Sequence, residues 1–524
     1  MSAVLDEVLE GFEPLPELVS VMAGSKTPTV LALDIGTSGV RASLFDERGN
    51  EMAGAPVRLQ TRHSAIDDLA IADADATVSL VAKTIDALLN KPHLTTICVE
   101  AIAISCFWHS LVGVNRDGVP TTSISGWADT RGISAVKELR NRFDETAIHL
   151  RTGCRFHPSY WPAKLLSLKH EQPEVYRSTS RWLSFSDYLV SRLFSKTVTS
   201  VSMASATGLF NQRSLQWDSE LIGALHISSD TLPDVLCTEQ TWHGLTPEYA
   251  ARWPQLTDAR LFLPLGDGAA NSIGSGCTTR ENVALMIGTS GAMRVLFKGE
   301  PPDELPLALW CYRADRQRCI IGGALSDGGG LYRWIREVLL ANEDSESIET
   351  QLNAMEPDAH GLTVLPFWAG ERSTGWSADA RGTIIGLTLQ TQPIEILRAA
   401  MEGIAYRFAL IAKELESFAP GASIIASGNA LRSSPTWTQI IADVLGQPVS
   451  LSCASEASAR GAALLALEAM GRIESIEAFP LPVETRFEPN LSHYARYQKG
   501  IERQSKLYES VIEDPQVTKF TDRP

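Results

Sequence analysis

Leu31-Ala-Leu-Asp34-Ile-Gly36-Thr37-Ser38-Gly39 and Val283-Ala-Leu-Met286-Ile-Gly288-Thr289-Ser290-Gly291 are one segment written twice, identical at seven of nine positions. Each is an apolar run broken by Gly-Thr-Ser-Gly, and in the first copy a second apolar run continues to Phe45, the punctuation of a β-hairpin. The copies stand about 250 residues apart, far beyond a solenoid period, so they mark two related domains, each opened by its own hairpin.

Working outward, apolar strands such as residues 96–104 alternate with helical periods such as residues 77–89, the succession of an α/β domain. Near residue 280 the pattern restarts. Residues 393–417 carry helical spacing through Ile396, Ala399, Ala400, Ile404, Ala405 and Phe408, and residues 434–446 form another helix ended by a glycine. Between them residues 423–428 read as a strand entering a glycine at a helix start, where backbone amides meet phosphate or adenosine. The expected division is an acidic extension (1–27), a first domain (28–278), a second domain (279–490) and a helical tail (491–524) with spacing at Tyr494, Ile501 and Leu507.

At 524 residues the chain exceeds one hydrophobic core, and 44% hydrophobic with 21% charged residues is the composition of a globular enzyme, not of a disordered or disulfide-built chain. Lys plus Arg number 46 against 62 Asp plus Glu, and the resulting −16 opposes nucleic acid and anionic lipid as partners, leaving a small molecule. Eight scattered cysteines without a C-x-x-C pattern read as reduced thiols. The first 27 residues lack the basic start and apolar core of an export signal, and no stretch of about 18 apolar residues occurs, so a cytoplasmic protein without a membrane partner is expected. The extension is read as a surface helix or an oligomer contact, with a homodimer as the candidate assembly.

The two copies differ where chemistry matters, because Asp34 in the first is Met286 in the second. Folding does not require a carboxylate inside an apolar strand, and burying one is costly without a cation or donors, which makes Asp34 a functional candidate. Its alternative is a strand-end aspartate bonded to turn amides. Twin glycine and hydroxyl turns at the inner edges of two domains present N–H and O–H donors to a polyphosphate from opposite sides, and no G-x-x-x-x-G-K-[ST] loop is present to do so otherwise. Asp267 follows an apolar run and precedes small residues, the setting of a partly desolvated carboxylate that accepts a proton from a substrate hydroxyl; the alternative is a cap on a helix starting near Ala269. Trp108 with His109, and Trp127 with Asp129 and Arg131, close two further apolar runs, and aromatic faces beside charges suit a polyhydroxylated ligand, with core packing as the alternative.

Residues 33–41, 266–271, 288–291, 367–376 with 380–383, and 427–433 together resemble the FGGY carbohydrate kinases, in order along residues 29–490. The resemblance implies two ribonuclease H-like (actin-like) α/β domains with a central cleft, closing on ATP, Mg²⁺ and a sugar or polyol. Carried over by position, it implies Asp34 beside Mg²⁺, Gly36, Thr37, Ser38 and Arg41 as the first phosphate cradle, and Gly288 with Thr289 as the second. Asp267 matches the general base, and Gly329 and the Gly428, Asn429, Ser433 loop match nucleotide contacts, although the family usually has glycine where Asn429 stands. Trp108, His109, Trp127, Asp129 and Arg131 fall in its substrate region. Glycerol kinases have an Arg-Glu pair where this chain has Phe107-Trp108-His109, and residues 127–131, 153–158, 164–166 and 206–210 are more similar to the gluconate-kinase branch. A sugar-acid carboxylate needs a cation, for which His109, Arg131, Arg155 and Lys164 are near in sequence. Xylulose, ribulose or another sugar is the alternative substrate, and an ATP-gated actin-like or chaperone-like binding protein is the alternative of another class.

Overall fold

A computed structural model describes residues 28–60, 71–94, 97–237, 240–454, 456–480 and 483–513. The expectation for the 1–27 extension lies outside the described residues.

Both hairpins form as the repeat predicts. Pro28–Gly36 pairs antiparallel with Gly39–Phe45, and Asn282–Ile287 pairs antiparallel with Gly291–Lys298. Val30, Leu31, Ala32, Leu33 and Ile35 are buried on both faces, as a central strand requires.

The duplication extends through both sheets. The first runs Thr241–Trp242, Arg260–Phe262, Cys98–Cys106, Pro28–Gly36, Gly39–Phe45, Val57–Gln60. The second runs Val483–Phe487, Val449–Ser452, Ser423–Ser427, Asn282–Ile287, Gly291–Lys298, Arg318–Leu325, with Trp310–Arg313 added at the edge. Position by position the neighbouring pairs are antiparallel, parallel, parallel, antiparallel, antiparallel in both. These are the two ribonuclease H-like lobes.

Helices cover the sheets with the stripes their spacing predicts. Ala74–Leu89, capped by Asp73, buries Val78, Val81, Ala82, Ile85 and Leu88. Pro393–Leu415 opens with a capping box between Gln392 and Glu395, and Pro435–Leu445 is capped by Ser434 and ended by Gly446 in the left-handed region. The tail helix is Leu491–Tyr508.

One helix departs from the sequence division. Ala457–Ala469 lies well inside the second half of the chain, yet Ala459, Ala462, Ala463 and Leu464 join the buried cluster of the first sheet, with Val30, Leu31 and Ile104. It crosses Asp267–Gly274 at backbone contact, and both crossing points are glycine: a Cβ on Gly274 would stand 1.7 Å from the Ala457 carbonyl oxygen, and one on Gly461 1.9 Å from that of Ala270. Between Cys106 and Arg260 the first lobe carries an insertion with its own core around Trp161, Trp182, Leu209 and Leu221. That insertion joins the second lobe: Cys311 N–H donates to the Gly153 carbonyl at 3.0 Å, and the hydroxyls of Tyr160 and Tyr312 are 2.6 Å apart.

Among the described residues no helix is long and apolar enough to cross a membrane.

Candidate active site

The two hairpin turns face each other across a cavity of about 260 Å³ lined by Asp34, Gly36, Thr37, Ser38 and Arg41 from the first lobe and Met286, Gly288, Thr289, Ser290 and Gly291 from the second. Asp34 and its counterpart Met286 therefore line one space. Asp267 lines it too, with Trp108, His109 and Trp127.

Asp34 sits opposite Arg41 in the hairpin register, and Arg41 Nη1 donates to its Oδ2 at 3.0 Å while the Ser105 hydroxyl donates to Oδ1 at 3.1 Å. Burial pushes the Asp34 carboxyl above the ordinary carboxylate range, with Arg41 opposing. Asp267 is the first residue of the Asp267–Gly274 helix; its Oδ1 accepts the neighbouring Gly268 N–H at 2.8 Å and the Trp108 backbone also bonds to its carboxyl, so it is not spent as a cap on a later turn. Burial raises its carboxyl also, Arg294 opposes the rise, and the negative charge of Asp34 adds to it. The Asp34 carboxylate, with the Thr37 and Ser38 hydroxyls lining the same cavity, offers the hard-oxygen donors that suit Mg²⁺.

The glycines on either side of Asp267 have a steric cause. A Cβ on Gly266 would fall 1.8 Å from the Trp108 ring, and one on Gly268 2.4 Å from it. Trp108 thus lies over the turn that carries the carboxylate, and its Nε1–H donates to the Ser202 carbonyl at 3.1 Å.

The remaining wall is aromatic and comes from both lobes. Trp310 and Tyr312 stack at 4.2 Å, and both present their rings to the edge of Trp108. His109 meets Tyr160 edge to face at 5.1 Å and directs Nδ1 to the Ala206 carbonyl at 2.8 Å. Burial lowers the His109 pKa to about 3, so its imidazole is neutral.

That neutrality corrects the search for a cation. Of the four groups near in sequence, His109 is uncharged, and the other three do not line the cavity. Arg131 forks onto Asp129 through Nε at 2.9 Å and Nη2 at 2.6 Å, while the Ser125 hydroxyl donates to the same carboxylate at 2.6 Å. Asp129 and Arg131 are thus spent on each other and support the loop that carries Trp127. Arg155 pairs with Glu145 at 2.7 Å. Lys164 is buried, and its Nζ donates to the carbonyls of His109, Ser125 and Gly126 at 2.6, 3.0 and 2.8 Å. It ties the two aromatic loops together from beneath. Besides Arg41 at the first hairpin, the cavity is lined by Arg294 and Arg372, both buried and both from the second lobe. Arg294 stands in an apolar strand, the same signal that singled out Asp34 in the first copy, whereas Tyr160, Trp310, Tyr312 and Trp376 carried no signal that separated them from core aromatics.

On the far side of the second turn, the remaining glycine loops converge. Gly329 N–H donates to the Gly288 carbonyl at 2.8 Å and Gly330 N–H to that of Thr289 at 2.9 Å. A Cβ on Gly329 would stand 3.0 Å from the Ala430 Cβ, and one on Gly428, whose φ is +100°, would meet the Ile287 carbonyl at 2.3 Å. Gly288, Gly329 and Gly428 therefore share one corner, with Asn429 and Ser433 on the short Asn429–Ser433 helix that follows. The Ser433 hydroxyl donates to the Asn429 carbonyl.

Twin ribonuclease H-like lobes, hydroxyl turns from both and a buried carboxylate between them define a phosphotransferase site of the actin-like class. The N-terminal domain model of the FGGY family of carbohydrate kinases matches residues 29–274, and the C-terminal domain model of the same family matches residues 283–470. This chain belongs to the FGGY family of carbohydrate kinases, whose members use ATP as phosphate donor. It is 28% identical to a gluconokinase of Bacillus licheniformis over 86% of this chain and 89% of that one. A gluconate kinase of Lactobacillus acidophilus superposes with a TM-score of 0.84 at 27% identity, covering 94% of this chain and 100% of that one. A ligand-bound xylulose kinase from the same organism gives 0.84 and 27% over the same shares, so fold similarity alone does not separate the two substrates.

Proposed function

We propose that this chain is a cytoplasmic gluconokinase, transferring the γ-phosphoryl group of ATP to a hydroxyl of a sugar acid, gluconate. The observation that carries the reading is the shared cavity, in which Asp267 stands among aromatic side chains while hydroxyl turns enter from both lobes. Support for an acid over a neutral sugar comes from the likeness to gluconokinases and from two buried arginines in the wall.

Gly36, Thr37, Ser38 and Arg41 cradle the phosphates from one side and Gly288 with Thr289 from the other, while Gly329, Gly428, Asn429 and Ser433 hold the nucleoside. Trp108, His109 and Trp127 pack against the substrate. The Asp267 carboxylate takes the proton of the attacking hydroxyl, the substrate oxygen bonds to the γ-phosphorus, and the β,γ-bridging P–O bond breaks with its electron pair leaving on ADP. Positioning and exclusion of water by the closed aromatic wall supply the rest. When bound, Mg²⁺ supplies charge neutralisation at the phosphates, and Asp34 is the residue that would hold it.

A coupled ADP-release assay over gluconate, xylulose, ribulose and glycerol tests the reading. Turnover greatest with gluconate supports it; turnover greatest with a neutral ketose refutes the acid specificity, and ADP release that no sugar stimulates refutes the kinase assignment.

A further inference from the structure

Edge strands are ordinarily guarded by charge, proline or a covering element, because an open row of N–H and C=O groups pairs with any strand that reaches it. One strand of the second lobe has none of these guards. Thr383–Ile385 pairs antiparallel with Thr363–Leu365 in a two-stranded sheet, and among the described residues no strand pairs with its other edge. Residues 383–392, Thr-Ile-Ile-Gly-Leu-Thr-Leu-Gln-Thr-Gln, hold neither a charge nor a proline in a chain that is 21% charged. Their large side chains face water: Ile385 is 43% exposed, Leu387 55% and Leu389 107%, as open as in an isolated peptide.

The apolar surface continues beyond the strand. Trp368 covers Gly382, where a Cβ would stand 2.2 Å from its ring, and lies 5.9 Å from the ring of Trp334. Trp334 and Val338, one turn apart on the helix Gly329–Leu339, are exposed as well. Trp334, Val338, Ile385, Leu387 and Leu389 at these exposures come to roughly 500 Å², the size of patch that marks an interaction site and a large share of the ~800 Å² that each partner of a standard interface supplies.

Two features of the patch select its partner. Antiparallel pairing of an edge with its own copy about a two-fold axis satisfies both rows of donors and acceptors at once and sets leucine against leucine. Arg333 and Glu337 flank Trp334 on the same helix, exposed and, among the described residues, without an ion pair, and a patch rimmed by both signs is complementary to itself.

We infer that this face is the joint of a symmetric homodimer, in which two copies of the chain pair their Thr383–Ile385 edges and bury the five apolar side chains between them. None of the five lines the catalytic cavity, so the joint can be broken without touching the site.

Sedimentation velocity on the full-length protein, across a dilution series, tests this. Wild type is expected at twice the mass of one chain, and Leu387→Arg/Leu389→Arg is expected to raise the dimer dissociation constant by about a hundredfold or more, since it sets four charges into an apolar joint. Retained ADP release by the double variant shows that its fold is intact. Should the double variant fail to fold, Leu389→Arg alone decides, at a position wholly open to solvent, with a rise of about tenfold expected. A wild type that stays monomeric, whether its patch is bare or covered by residues 514–524 of its own chain, overturns the inference. An assembly whose dissociation constant neither variant moves overturns it too, and in both cases the kinase reading stands.

Discussion

Asp267 and Arg294 reach the same cavity from opposite lobes, and each holds the other's charge in place: the guanidinium lowers the proton affinity of the carboxyl, while the carboxylate opposes the burial that brings the arginine down to about 10. A base whose strength is trimmed by the partner lobe works as intended only when the lobes are together.

Asp267→Asn is expected to lower kcat by about 10²- to 10⁴-fold with ATP affinity retained. It is also expected to raise the melting midpoint. The folded-state pKa of Asp267 lies above the unfolded value, so the folded protein binds more protons between the two and gains stability as pH falls through that interval; at neutral pH the buried charge costs stability, which asparagine removes. Calorimetry on both proteins checks the sign, and a lower midpoint for the variant contradicts it.

The rate should follow the same group. kcat/KM is expected to fall as pH drops through the raised pKa of Asp267, above the ordinary carboxylate range, and to be held above it. Arg294→Met removes the charge that opposes the rise and should move the acid limb to higher pH. A limb that stays in place, measured on both proteins, excludes Asp267 as its source.

Asp34→Asn should raise the Mg²⁺ concentration for half-maximal activity by at least the ~10-fold that an outer-shell change costs a metal site, leaving the KM for sugar unchanged. Mg²⁺ titrations at saturating ATP read the effect, and an identical titration curve would falsify the metal role.

Gly274→Ala places a Cβ 1.7 Å from the Ala457 carbonyl oxygen, and that atom is backbone rather than a side chain that swings aside. The two helices must separate, at a cost of about 1–3 kcal/mol or more, read as a lower denaturant midpoint. Gly223→Ala, within the Ser219–Ala224 helix and where an added Cβ meets nothing within 4 Å, is the control expected not to lower it.

Lys164→Met removes the donor shared by three carbonyls; those of Ser125 and Gly126 keep the N–H groups of Leu111 and Asp129, and the loss falls on the His109 carbonyl, at about 1–3 kcal/mol. The loops bearing His109 and Trp127 should loosen together, so the KM for sugar is expected to rise more than that for ATP. Equal changes in both would show a global effect instead.

Local signals carried far. The two hairpins, the helix end at Gly446, and the singling out of Asp34 and Asp267, which line one cavity, were legible because each rests on a charge or glycine in a segment whose pattern calls for something else. Partnership was not legible. Arg131 and Lys164 stand near the aromatic loops in sequence, but a carboxylate two residues away and three carbonyls beneath consume them, while Arg294 and Arg372 reach the cavity from segments more than a hundred residues later. The helix Ala457–Ala469 likewise follows a second-lobe strand and covers the first-lobe sheet, a choice made by which apolar face stands open, not by anything in the helix itself.

That helix has a consequence for biosynthesis. A nascent chain halted just after the Asp267–Gly274 helix has emerged with every strand of its first sheet, yet the surface destined for Ala459, Ala463 and Leu464 still faces water. The amino-terminal lobe is born first and matures last, holding an exposed greasy face on the ribosome until translation has nearly reached the end of its partner.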